Sequence, residues 1–263
     1  MDYLGEAKIG SWEYEDYAPK NADDAGWLSA GSGRIDLTGK PIGEAYYTRV
    51  ALEQEVGPII AATPVYQQGK HTPSAWKMSD AIRSWSYKGC EGYKANVEVY
   101  ARAKTVELFL NGISQGKKKS NDCIFRFTIE YHSGELMAVS YDENGYEIGR
   151  DMLATAWDDT IVSILSEKQT VAPGHLGYIW LRLTDYFGTW KPMEKRKIKV
   201  SVENGNLIAL GNGCPYNPDG FLQDETSTYY GEALAIVRAG EEGTVTINVG
   251  ANGVKNSLQI PIK

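Results

Sequence analysis

Val106-Glu107-Leu108-Phe109-Leu110-Asn111-Gly112 is the stretch from which the fold is read. Val106, Leu108 and Leu110 alternate with Glu107 and Phe109, the period of two that marks a strand with one buried face. Asn111-Gly112 then supplies the positive φ angles of a tight hairpin turn. The same grammar recurs on both sides. Upstream, Val97, Val99 and Ala101 alternate with Glu98, Tyr100 and Arg102. Downstream, Ile124, Phe125, Phe127 and Ile129 form the next strand, and Ser133-Gly134 is a turn. Leu136 to Tyr141 and Tyr146 to Thr155 follow, with Asn144-Gly145 as a second hairpin signal between them. Beyond Trp157-Asp158-Asp159 comes a second run of strands: Thr160 to Leu165, Leu176 to Thr184, Arg196 to Glu203, Leu207 to Leu210, Leu234 to Ala239, Thr244 to Val249 and Ser257 to Ile262. Turns such as Pro173-Gly174, Asp185-Tyr186-Phe187-Gly188, Asn204-Gly205 and Asn252-Gly253 separate them. Short strands at this spacing predict a mainly β chain of two immunoglobulin-like antiparallel β-sandwiches, not parallel βαβ units. Cys214 to Gly231, rich in Tyr, Asn, Asp and Pro, is expected as an irregular loop.

Composition excludes several functions. The 263 residues carry Lys+Arg 27 against Asp+Glu 34, a net charge of −7. Clustered positive charge is what binds nucleic acid and anionic membranes, so neither is an expected partner. No apolar run approaches the roughly 20 residues a membrane helix needs. Met1 to Gly10 also lacks the basic-then-apolar plan of a signal peptide. Cys90, Cys123 and Cys214 are odd in number and widely spaced, which reads as free thiols, with one disulfide and a leftover thiol as the alternative in a secreted protein. His71, His132 and His175 stand apart from other ligand residues, so no metal or cofactor is expected.

The first residues behave differently. Met1 to Gly33 carries Trp12, Tyr14, Tyr17 and Trp27 without a usable period. Pro41-Ile42-Gly43-Glu44 then opens a predicted helix to about Glu55, with Pro41 in its first turn and Gly57-Pro58 as its stop. One helix after an aromatic loop cannot bury a core of its own. It is expected to fold back on the first sandwich, to mediate dimerisation, or to lack order.

Several segments resemble glycoside hydrolase family 2, in particular its β-galactosidase-like members. Asp2-Tyr3-Leu4-Gly5-Glu6, followed by Gly33-Arg34-Ile35-Asp36-Leu37-Thr38-Gly39-Lys40-Pro41 and Tyr46-Tyr47, is similar to the end of the family's catalytic (β/α)8 barrel. Arg34 stands where the family has Ile or Leu, and extra residues around Tyr14 to Ala25 imply a remodelled loop. Val106 to Lys118 resembles the signature of the sandwich just after that barrel, and Tyr131 to Val139 a further strand of it. Leu207 to Gly213 and Tyr230 to Arg238 resemble the family's C-terminal sandwich.

The resemblance implies residues 1–57 as the tail of the barrel, residues 58–157 as the following β-sandwich and residues 158–263 as the C-terminal immunoglobulin-like sandwich. It implies that the two catalytic glutamates lie outside this chain, that Met1 is not the natural first residue, and that the chain alone is inactive. Asp2, Tyr3 and Glu6 are then candidates to line the sugar pocket, and Trp12 and Trp27 to stack on sugar rings, as is Tyr14. Ordinary loop capping weighs equally for the acids, and packing against the sandwich weighs more for any single ring. The implied partners are the missing barrel, a β-galactoside or related oligosaccharide in the full-length enzyme, and a second copy in a homo-oligomer. Bacterial origin is implied, with cytoplasmic and exported locations both open. The rival readings are a stand-alone carbohydrate-binding sandwich, resting on the aromatic loop with Tyr216, Phe221, Tyr229 and Tyr230, and a purely structural spacer. Lys117 to Lys119 reads as a solvated charge run, and Gly211-Asn212-Gly213 as a bend beside a close loop contact.

Overall fold

The computed structural model describes residues 34–67, 79–214 and 220–263. The chain divides into two compact units, Met1–Thr155 and Ala156–Lys263. Each unit holds two antiparallel sheets face to face.

In the first unit, β1 (Ile59–Ala62), β2 (Lys94–Tyr100) and β5 (Ile124–Glu130) make one sheet in the order β1-β2-β5. The other has the order β4-β3-β6-β7, from β3 (Thr105–Leu110), β4 (Ile113–Lys119), β6 (Glu135–Tyr141) and β7 (Glu147–Ala154). Val97 pairs with Phe127 and Val99 with Phe125, so the alternation read from sequence delivers one row of apolar side chains to the core. Val106, Leu108 and Leu110 are likewise buried. Each such side chain contributes about 1.5–3 kcal/mol on leaving water. The β3–β4 hairpin closes on Asn111 (φ 52°) and Gly112 (φ 77°), between the paired residues Leu110 and Ile113. Both central residues are left-handed, as the type I′ turn requires.

Two strands of this unit have no counterpart in the sequence reading. Strand β4 is exposed at every position, so no alternation betrays it. Its Lys117, expected only as part of a solvated run, bonds the Glu107 carboxylate across the hairpin at 3.2 Å. Strand β1 is four residues long and buried throughout, too short for any period to show.

The helix is shorter than predicted. Helix α1 spans Gly43–Ala51. Pro41 lies outside it, bridged to Ile35, and the extended Ile42 is the N-cap. Glu53 turns left-handed at φ 62°, its N–H bonds to the carbonyl of Val50, and that of Gln54 bonds to the carbonyl of Arg49. This pattern terminates a helix by satisfying its last carbonyls, here well before Gly57. Helix α1 does fold onto the first sandwich: Val50 joins Ile59, Ala61, Ala81, Tyr100 and Ile124 in a buried cluster, with Tyr46 and Tyr47 packed against it.

In the second unit, β8 (Ile161–Ser166), β9 (Leu176–Thr184), β11 (Gly205–Gly211) and β13 (Glu232–Ala239) form the sheet β11-β13-β9-β8. The facing sheet, β12-β10-β14-β15, uses β10 (Lys197–Glu203), β12 (Glu225–Ser227), β14 (Thr244–Ala251) and β15 (Val254–Pro261). Between them lie Ile179, Leu181, Ile198, Val200, Ala235 and Ile247, all essentially inaccessible. Strand β12 sits inside the expected irregular loop and pairs with β10 over three residues. Asn204-Gly205 is a turn, but one that carries the chain from one sheet to the other. Asn204 sits at φ 54° and its Nδ2 donates to the carbonyls of Glu242 (2.8 Å) and Thr244 (3.1 Å). The close contact read at Gly211 is present: a Cβ there would stand 2.3 Å from the Phe221 ring. Among the described residues no helix is long and apolar enough to cross a membrane.

Candidate functional site

Asp2, Tyr3, Glu6, Trp12 and Trp27, the residues expected at the sugar pocket, lie outside the described residues, as does Tyr14. The described part holds the segment that follows them, and a polar seam fixes that segment to the first sandwich. Residues 79–87 run beside β1, where Ala62 and Ile82 exchange backbone hydrogen bonds at 2.9 Å. Arg83 in this strap grips Asp151 of β7 with both guanidinium nitrogens, at 2.8 and 3.1 Å. The same carboxylate accepts the backbone N–H of Ile60 at 2.7 Å. One acid thereby ties strap, β1 and β7 together. The Tyr46 ring of α1 lies 5.8 Å from the Arg83 guanidinium carbon, and the N–H of Gly43 bonds the carbonyl of Ala81 at 2.7 Å.

A second knot lies beside it. Glu98 accepts hydrogen bonds from the hydroxyls of Ser79 and Tyr100, both at 2.5 Å, with Arg126 at 3.5 Å. Burial pushes the Tyr100 phenol well above its ordinary acidity range, and the neighbouring Glu98 carboxylate adds to the effect. Tyr100 is therefore a hydrogen-bond donor throughout the physiological range. Arg83→Ala is expected to cost about 1–3 kcal/mol, because it leaves a half-buried carboxylate with only one backbone donor. Urea unfolding at neutral pH reads this directly, and a midpoint unchanged from wild type would remove the seam from the list of stabilising features.

Asp151 and Glu98 thus each join several elements of the first unit. A retaining glycosidase needs two carboxyls roughly 5–5.5 Å apart, and its general acid holds its proton near neutral pH. Among the described residues, the carboxyls whose acidity is displaced all move the other way. The Ser133 hydroxyl lowers Glu91, and the Ser120 hydroxyl lowers Asp122. For Glu107, burial pushes upward but is outweighed by bonds from Ser114, Lys117 and Tyr141. For Asp185, burial is likewise outweighed, by the N–H groups of Trp157, Thr189 and Phe187 and the Thr189 side chain. Burial raises the Cys90 thiol, and Glu91 adds to it, which makes that sulfur a poor nucleophile. Cys90, Cys123 and Cys214 form no disulfide with one another. Among the described residues no group of His, Cys, Asp and Glu is placed to hold a metal ion.

The described rings of the second unit's aromatic loop range from exposed Phe221 to buried Tyr229. Tyr216 lies outside the described residues, Phe221 rests on Gly211, and Tyr229 is buried edge-on against Tyr230 with centroids 4.7 Å apart. Trp190 donates its Nε1 proton to the carbonyl of Tyr230 at 2.8 Å. The most exposed rings among the described residues of this unit lie elsewhere, in two stretches read from sequence as a boundary and a turn. Trp157, Tyr186 and Phe187 are 67%, 77% and 72% exposed, and the Phe187 ring touches both of the others. Only the concentration of aromatics beside acids in Trp157-Asp158-Asp159 and Asp185-Tyr186-Phe187 could have pointed to them.

Comparison with known proteins bears on both units. A family model described as glycoside hydrolase family 2 C-terminal domain 5 matches residues 166–258, and one described as a domain of unknown function (DUF4982) matches residues 92–149. "Beta-galactosidase BoGH2A" of Bacteroides ovatus is 22% identical over 189 residues, which cover 70% of this chain and 21% of that protein. A "Putative beta-glucuronidase" of Formosa agariphila is 30% identical over 151 residues, 54% of this chain and 14% of that one. The chain thus spans between 14% and 21% of the length of these curated relatives. A solved structure of a glycosyl hydrolase family 2 member from Bacteroides cellulosilyticus superposes on 98% of this chain and 34% of its own, at 28% identity and a TM-score of 0.82.

Proposed function

This chain belongs to glycoside hydrolase family 2 and corresponds to its C-terminal region, and from that premise we propose that it is the non-catalytic part of a retaining β-glycosidase. Its sandwiches brace a catalytic (β/α)8 barrel and shape the rim of that barrel's active site. In this reading residues 1–57 are the barrel's last loop and helix, residues 58–157 the sandwich beside it, and residues 158–263 the terminal sandwich. The observation that carries it is the seam around Arg83 and Asp151, which makes α1 one body with the first sandwich. A fixed body of this kind is what the rim of a sugar pocket needs. Asp2, Tyr3 and Glu6 then line the sugar pocket, the two acids bonding sugar hydroxyls, while Trp12 and Trp27 present rings to the apolar C–H faces of a pyranose.

Barrel active sites draw on the loops after all eight strands, and the two catalytic glutamates belong to barrel residues other than 1–263. The substrate is a β-galactoside or related oligosaccharide, a reading supported by the name of the Bacteroides ovatus relative. The Formosa agariphila relative supports a β-glucuronide as the second reading. The purified chain is expected to hydrolyse neither nitrophenyl β-galactoside nor nitrophenyl β-glucuronide, whereas a form carrying the barrel turns over one of them. Turnover by residues 1–263 alone would sink the proposal, and the preferred substrate of the barrel-bearing form decides between the two sugars.

A further inference from the structure

The ring cluster of the second unit is built rather than incidental. Asp185 is completely buried, and its Oδ1 accepts the backbone N–H groups of Phe187 (2.9 Å) and Thr189 (2.8 Å). Its Oδ2 accepts the N–H of Trp157 at 2.9 Å. The N–H of Tyr186 bonds Asp159 at 2.5 Å. All three ring-bearing residues are thus pinned by their own backbone to carboxylates. Lys191 completes the frame: its ammonium donates to the carbonyls of Asp158 and Asp159, at 3.0 and 2.8 Å, and to the Thr160 hydroxyl at 2.7 Å. A loop held this firmly lowers the entropic cost of binding, yet the rings it holds face solvent.

We propose that Trp157, Tyr186 and Phe187 form a carbohydrate-binding subsite for a neutral pyranose chain. The rings are not coplanar. Trp157 and Phe187 meet at 57° with centroids 5.6 Å apart, and Tyr186 and Phe187 at 89° and 5.8 Å. Faces turned against one another suit a chain of sugar rings, each with its own C–H face, better than one flat apolar partner. The border is polar, with exposed Asp158 and Asp159 to accept sugar hydroxyls. The exposed aliphatic side chains of this unit, such as Leu165 and Leu222, belong to other segments of the chain, β8 and the loop before β12. The ligand is neutral because the bordering acids repel uronates and the nearby ammonium of Lys191 is spent on the loop itself. This subsite rests on the carbohydrate reading of the family but needs no catalysis.

The test is calorimetric titration of the full chain with a β-1,4-galactohexaose and with cellohexaose, alongside a galacturonate hexamer and with tryptophan emission followed in parallel. Saturable binding of a neutral hexamer with a change in emission is expected. Trp157→Ala and the double variant Y186A/F187A should each weaken binding about tenfold or more, while Leu222→Ala leaves it unchanged. No saturable binding of either neutral hexamer, binding insensitive to the ring substitutions, or tighter binding of the galacturonate each overturns the proposal. Each of these results is independent of whether a barrel-bearing form hydrolyses nitrophenyl glycosides, so the two readings fail separately.

Discussion

Trp85→Ala is expected to destabilise the first unit by about 4 kcal/mol, the upper range for deleting a large buried aromatic ring. Trp85 is wholly inaccessible and sits with its ring 4.8 Å from that of Tyr131. Its Nε1 donates to the carbonyl of His132 at 3.1 Å, and its own carbonyl accepts the hydroxyls of Thr155 (2.8 Å) and Tyr131 (3.3 Å). The Tyr131 hydroxyl also accepts the N–H of Tyr87 at 3.0 Å. Truncation therefore opens a cavity and takes the indole donor from the His132 carbonyl, two costs that add. Trp85→Phe keeps most of the volume and should lose about half as much. Urea unfolding followed by circular dichroism measures both variants. A loss below about 1 kcal/mol for the alanine variant would show that the surrounding rings collapse into the space, contrary to close packing.

The second large effect is expected at Asp185. Asp185→Ala leaves the N–H groups of Trp157, Phe187 and Thr189 without their acceptor and should cost about 3 kcal/mol. Asp185→Asn retains the shape but turns an amide NH2 toward at least one of those donors, for roughly half the loss. The pH dependence follows from the lowered acidity of the group, where burial works upward and the three backbone donors and Thr189 prevail. A carboxyl depressed in the folded state stabilises fully above its unfolded value, about 3.9, and loses that contribution as pH falls through the folded value. The gap between wild type and Asp185→Asn should thus be constant near neutrality and narrow below about pH 4. Unfolding midpoints across pH 3 to 7 measure it. A gap that widens on acidification would mean the carboxylate is a burden to the fold.

Much of the architecture was legible because its signals are local. Val106, Leu108 and Leu110 reach the core by simple alternation, and Asn111-Gly112 adopts left-handed angles wherever it stands between two strands. Strand β4 was not legible, since a strand exposed on both faces has no hydrophobic period. The end of α1 was misplaced for a related reason: the residue that reverses the chain is Glu53, a type with no preference for left-handed angles.

By itself, the sequence determined the antiparallel sandwiches, their principal strands and their kinship, because period-two alternation and turn chemistry are properties of neighbouring residues. Only tertiary structure decided the rest. The Arg83–Asp151 seam joins residues 68 positions apart, and the Asp185 cage reaches back 28 positions to Trp157. Tertiary structure also decided which aromatics are rim and which are core. It buried Tyr229, which stood in the suspected loop, and exposed Trp157, Tyr186 and Phe187. A side chain's identity sets what it can bond or stack upon, but its exposure depends on what the folded chain places over it, and no short stretch of sequence contains that information.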